Sequence, residues 1–118
     1  MDQGIKRKSR EFGVKVVLLH KQLSARKKES VMSEELLRSG AGVGADLVKA
    51  ECALGRNDQI TRVHMALQNC VEAKYWLELL NDTAYLTEFE YNDTLKGCDE
   101  MAKLLVMMLK TLRTANQQ

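Results

Sequence analysis

The chain has 118 residues, 45% apolar and 29% charged, with a net charge of +2: enough apolar chain for one hydrophobic core, and too much for a disordered polyampholyte. Proline is absent and there are only two Phe, three Tyr and one Trp, which argues against a β-sandwich or barrel, while Leu, Ala, Glu, Lys and Met favour helix. No stretch approaches the roughly 20 apolar residues of a membrane span, and the longest apolar run near the start, VVLL at 16–19, is too short for a signal-peptide core, so a cytoplasmic protein without membrane contact is expected.

The first helix is expected from about Ser9 to Glu29. Phe12, Val16, Leu19 and Leu23 follow a 4-3-4 spacing that lines one side of a helix, and Lys and Arg fill the other. Ahead of it, residues 1–8 read as a basic tail. The segment KESVMSEE then breaks the pattern, with Ser30 or Ser33 as the N-cap of a second helix reaching to Gly55. Asn57 or Asp58 would cap a third, whose apolar stripe is Ile60, Val63, Leu67, Cys70 and Leu77, ending near Asn81. Thr87 followed three residues later by Glu90 has the form of a capping box, flanked by Leu86 and Tyr91 as a hydrophobic staple. The fourth helix carries Tyr91, Leu95, Cys98, Ala102, Leu105, Leu109 and Leu112 in a 4-3-4-3-4-3 series. Residues 114–118 are left as a C-terminal tail.

Four such helices joined by short connections describe an all-α, up-and-down four-helix bundle with left-handed antiparallel packing over residues 9–113. Met101, Met107 and Met108 widen the apolar arc of the last helix, mostly as core filler. Cys52, Cys70 and Cys98 are odd in number and widely spaced, which fits neither a disulfide framework nor a zinc site and predicts free thiols, buried or half-buried.

The stretch GAGVGA at 40–45 satisfies the letters of a dinucleotide-binding fingerprint, but that motif needs a strand before it and a helix after it, and SEELLRS is a helix former. No Lys-Ser/Thr completes a P-loop. On a helix, Gly40 and Gly44 lie four apart, as do Ala41 and Ala45, so the small residues form a strip on which another helix can approach closely. Each mid-helix glycine costs about 0.5–1 kcal/mol relative to alanine, which implies a packing gain in return. The strip is therefore read as a helix–helix or subunit contact, with Trp76 serving the same purpose.

Catalytic and metal patterns are absent: His20 and His64 sit on separate helices without an HExxH or Glu-x-x-His partner, and no Ser or Cys lies in a nucleophile elbow. The chain reads as non-enzymatic, without metal or cofactor. Its charge is uneven. Residues 1–30 carry Lys6, Arg7, Lys8, Arg10, Lys15, Lys21, Arg26, Lys27 and Lys28 against Asp2, Glu11 and Glu29, residues 31–100 carry six basic against thirteen acidic side chains, and Lys103, Lys110 and Arg113 follow. The nine N-terminal cations are the candidate phosphate contacts for a nucleic acid.

FGVKVVLLHKQL, SEELLRSGAGVGADLVKAE and ALQNCVEAKYWLELLNDTAYLTEFEY resemble, in order and over almost the whole chain, segments of the bacterial four-helix bundle proteins first noticed as reading frames within 23S rRNA intervening sequences. Asp46-Leu47 stands where that family usually has Asn-Ile. The resemblance implies an up-down bundle assembled as a ring-shaped homopentamer. It also implies kinship with the accessory variability proteins of diversity-generating retroelements, which bind nucleic acid and partner a reverse transcriptase. The expectation is a non-catalytic, oligomeric RNA- or nucleic-acid-binding accessory protein. Its partners would be further copies of itself, RNA and, for a retroelement-encoded protein, a reverse transcriptase. The alternative is a pure assembly or scaffold module whose charges only solubilise it.

Overall fold

The computed structural model describes residues 3–116, which form four helices: α1 (Gln3–Arg26), α2 (Val31–Glu51), α3 (Arg56–Asp82) and α4 (Glu88–Asn116). They make a rod of 51 × 21 × 21 Å in which α1 packs on α2, α2 on α3, α3 on α4, and α4 back on α1. The short connections force sequence neighbours to run antiparallel, and contacts across the seams show it: Lys6 meets Glu51 while Lys15 meets Asp93 and Lys8 meets Glu100. This is the expected four-helix bundle.

The core follows the apolar periodicity, with Phe12, Val16, Leu19 and Leu23 facing Leu36, Val43 and Leu47, and Leu77, Leu80, Met101, Leu105 and Leu109 closing the other half. On α3 the buried stripe is carried by small residues as well, Ala66 and Ala73 beside Val63, Cys70, Leu77 and Leu80, while Ile60 and Leu67 are only half-buried. Of the three methionines of α4, Met101 is core, Met108 is half-buried and Met107 is exposed.

Several helix ends differ from expectation, each for a local reason. The basic tail is not a tail over residues 3–8: α1 starts at Gln3 because Ile5 and Ser9 extend the buried stripe by two more turns. Residues 1 and 2, like 117 and 118 of the C-terminal tail, lie outside the described residues, and 114–116 continue α4. At its other end α1 stops at Arg26, three residues early. Lys28 takes a left-handed conformation with φ 58°, and the Glu29 N–H returns to the Leu23 carbonyl at 3.1 Å.

Ser30 occupies the N-cap position of α2, yet its side chain caps nothing. The Glu29 carboxylate accepts the Met32 and Ser33 N–H groups instead, at 2.6 and 3.0 Å, so a charge from outside the helix satisfies the first-turn donors at the positive end of the helix dipole. Helix α2 ends at Glu51, not Gly55, since Leu54 is fully exposed and has nothing to pack on. Gly55 in extended backbone is the N-cap of α3, and the Asp58 carboxylate reaches back to the Leu54 N–H at 3.3 Å.

The capping box of α4 is formed in both directions: Thr87 N–H donates to Glu90 Oε1 at 2.8 Å and Glu90 N–H donates to Thr87 Oγ1 at 3.1 Å. Just before it, α3 closes with Tyr85 N–H on the Leu80 carbonyl and Ala84 N–H on the Asn81 carbonyl, which puts Ala84 at φ 65°. This Schellman geometry favours glycine there, because a Cβ is strained in the left-handed region. Ala84→Gly is expected to raise stability by about 1 kcal/mol, read as a higher urea midpoint at unchanged m-value.

Candidate nucleic-acid interface and contact surfaces

Helix formation spreads the nine candidate phosphate-binding cations along α1, and carboxylates of neighbouring turns and helices engage four of them. Lys6 pairs with Glu51 at 3.1 Å, Arg7 with Glu11 at 3.9 Å, Lys8 with Glu100 at 3.6 Å and Lys15 with Asp93 at 3.2 Å. Lys8, Lys15 and Gln22, the last bonded to Glu90 at 2.7 Å, form a polar ladder across the α1–α4 seam. Arg10, Lys21, Arg26, Lys27 and Lys28 are exposed and make no ion pair with any described residue. Exposed pairs of this kind are worth about 0–1 kcal/mol and exchange readily for a phosphate.

The structure sends eight of the nine cations to the two ends of the rod and leaves Lys15 between them, against Asp93. Lys21, Arg26, Lys27 and Lys28 share one end with Glu29, Glu34, Glu35, Glu78, Asp82, Glu88 and Glu90, where the local balance is acidic. Lys6, Arg7, Lys8 and Arg10 lie at the other, where the antiparallel order also delivers the end of α2, the start of α3 and the end of α4. Over residues 3–11, 46–62 and 100–116, which take in the Glu11 and Glu100 partners of Arg7 and Lys8, there are ten Lys and Arg against five Asp and Glu, a balance of +5. Arg56 and Arg62 join this group only through folding. Their position between the acidic stretches of the middle of the chain had concealed them.

The small-residue strip turns out to serve two different surfaces. Gly40 is buried against α1: a Cβ there would lie 2.8 and 2.9 Å from the two γ-carbons of Val16. Gly44 is looser, with Ser9 Oγ at 3.6 Å. Gly42, to which no contact had been assigned, faces α3 and leaves room for the Asn69 amide, which donates to the buried Asp46 carboxylate at 2.7 Å. Ala41 and Ala45 are exposed. With Gly13, Gly44, Val14, Val17, Leu18 and Val48 they line an apolar groove of about 670 Å³ between α1 and α2, whose walls include Lys6, Arg7 and Arg10. Val14, Leu18 and Val48 are 52–61% exposed. The run VVLL carried this signal, since Val17 and Leu18 cannot share a face with Val16 and Leu19.

Trp76 is half-buried against the core and donates its Nε1–H to Glu72 at 2.8 Å, with the Tyr75 ring edge-on at 5.1 Å. Arg38 bridges Glu72 and Glu35. Its guanidinium is held above its ordinary pKa first by the hydrogen bond to Glu35 and then by the charge of Glu72, as Lys74 is by its hydrogen bond to Asp99. Trp76 thus contacts its own chain, and Tyr75, 55% exposed, is the more available ring.

His20 Nδ1 lies 2.9 Å from the Ser33 hydroxyl, which is fully buried and bonded to the Glu29 carbonyl, and His64 is exposed on α3. Among the described residues no three His, Cys, Asp or Glu side chains are grouped so as to hold a metal ion, and no helix is long and apolar enough to cross a membrane. All three cysteines are free. Cys52 is exposed rather than half-buried, because α2 ends there, whereas Cys70 and Cys98 are buried opposite each other.

A family model described as 23S rRNA-intervening sequence protein matches residues 1–107. Among solved structures, a protein of unknown function from the S23 ribosomal protein family of Bacteroides thetaiotaomicron is 42% identical and superposes with a TM-score of 0.88, over 90% of this chain and 98% of that one. No curated protein matches the chain.

Proposed function

The chain belongs to the 23S rRNA-intervening sequence protein family, and from that premise we propose that it is a non-catalytic, oligomeric RNA-binding accessory protein of the cytoplasm. The observation that carries this reading is the +5 end of the bundle, to which all four helices bring cations. An array of this kind attracts phosphate without reading base edges, since Lys and Arg on helix faces neutralise backbone charge and release counterions. Arg10, Lys49, Arg56, Lys103, Lys110 and Arg113 are its most available members, with Lys6, Arg7 and Lys8 exchanging their carboxylate partners for RNA. A homopentameric ring would repeat the patch by symmetry and strengthen its field. A retroelement-encoded reverse transcriptase is the protein partner this reading would add.

Filter binding of the full-length protein to a structured RNA tests it. The association constant is expected to fall more than tenfold between 50 and 200 mM salt, and Arg10→Gln to reduce the slope of log K against log salt by about one. Absence of binding at low salt, or binding indifferent to salt, would overturn the reading.

The groove between α1 and α2 favours assembly as a second activity. A contiguous apolar wall of Val14, Leu18 and Val48 beside Ala41 and Ala45 has the smoothness a neighbouring helix requires. As a pure scaffold, the protein would assemble through this wall and bind no nucleic acid.

A further inference from the structure

Cys70 on α3 and Cys98 on α4 meet at the crossing of the second helical hairpin, with Sγ···Sγ 3.7 Å. Each thiol also reaches the partner's backbone carbonyl, Cys70 Sγ to Cys98 O at 3.2 Å and Cys98 Sγ to Cys70 O at 3.3 Å. The side chains are 0% and 2% exposed. Small residues flank the crossing, Ala66 and Ala73 on α3 and Ala102 on α4, and suit a close approach of the two helices. A disulfide needs sulfurs about 2.05 Å apart, so these must approach by about 1.7 Å, within reach of a change of side-chain rotamer and a small helix shift.

We propose that Cys70 and Cys98 form a redox modification site, which a small hydroperoxide converts to a disulfide that staples α3 to α4. With both sulfurs buried, a hydroperoxide reaches them only when the α3–α4 seam opens locally, and the second thiol is in contact with the first before any oxidation occurs. The two sulfurs sit alike, each against the other and against the partner's backbone carbonyl, so the ionisation of one is tied to the proton of the other.

Either sulfur can serve as the nucleophile with the same balance; Cys70 is taken as the first. Its thiolate sulfur bonds to one peroxide oxygen, the O–O bond breaks, and the leaving oxygen departs with the proton released by the Cys70 thiol, as water from hydrogen peroxide or as an alcohol from an alkyl hydroperoxide. The sulfenic acid left on Cys70 is then attacked by Cys98 sulfur; the S–O bond breaks and hydroxide leaves with the Cys98 proton as water. Two thiols lose two electrons and the peroxide gains them. The new bond closes a loop over the 28-residue separation, which constrains the unfolded chain and lowers the unfolding constant by a factor on the order of several hundred.

The test uses the full-length chain carrying Cys52→Ser, which removes the exposed competitor, treated with hydrogen peroxide while folded. The expected result is a loss of about 2 Da, reversed by dithiothreitol. Tryptic peptides 63–74 and 97–103 should be linked, and the denaturant midpoint should be higher than in the reduced protein. Thiols that stay free in the folded protein while reacting readily in denaturant would overturn the proposal, as would sulfinic acid on either cysteine without the cross-link. The wild-type chain, mapped the same way, provides a readout that needs no substitution.

Discussion

Gly40→Leu is expected to destabilise the bundle by about 3 kcal/mol or more, seen as a large fall in the urea midpoint. The Cβ alone would lie 2.8 and 2.9 Å from the Val16 γ-carbons, and Val16 is fully buried at the α1–α2 interface with no free space to yield. The remaining leucine carbons can be placed only by separating the two helices. Gly44→Leu provides the contrast. Its Cβ would meet only Ser9, at 3.6 Å, and the side chain would enter the open groove. The monomer should fold with nearly unchanged stability, since leucine regains the helix propensity glycine lacks, while any oligomer formed through the groove should lose mass by light scattering. If both variants lost stability equally, the assignment of the two glycines to different surfaces would be wrong.

Asn69→Leu is expected to cost about 3 kcal/mol. Asp46 is 5% exposed, and its bond from the Asn69 amide at 2.7 Å is what compensates its burial. Removing the donor leaves a nearly buried carboxylate without its hydrogen-bond partner, which costs more than the net value of one hydrogen bond. Asp46→Asn should be mild by comparison, because a neutral amide oxygen still accepts from Asn69. In the Asp46→Asn background the Asn69→Leu cost should shrink by at least about 1 kcal/mol, the signature of two coupled sites in a double-mutant cycle. An undiminished cost would mean that Asn69 acts through packing rather than through Asp46.

These effects bear on how far the amino-acid order can be read without coordinates. Leu105 and Leu109 are buried as their spacing required, and the Thr87–Glu90 box formed as written, because both depend on residues three or four apart along one helix. The Ser30 cap failed for the opposite reason: Glu29 stood one residue earlier and offered a charged acceptor to the same N–H groups. The start of α1 was misplaced because Ile5, separated from Phe12 by charged and small residues, shows its apolar role only once α4 is beside it.

The candidate surfaces were harder. The cations of α1 were visible as a cluster in the chain, yet folding splits them, joining Lys6 to Arg10 with Arg56, Lys110 and Arg113 and leaving Lys21 to Lys28 among carboxylates. Local periodicity determined by itself that there are four helices, which stripes turn inward, and that Gly40 to Ala45 lie on a helix. Only the tertiary structure decided which end is basic, which glycine faces which neighbour, and that Cys70 meets Cys98. Each of those depends on two positions far apart in the chain being brought level by antiparallel packing, a register that helical repeat within one segment does not encode.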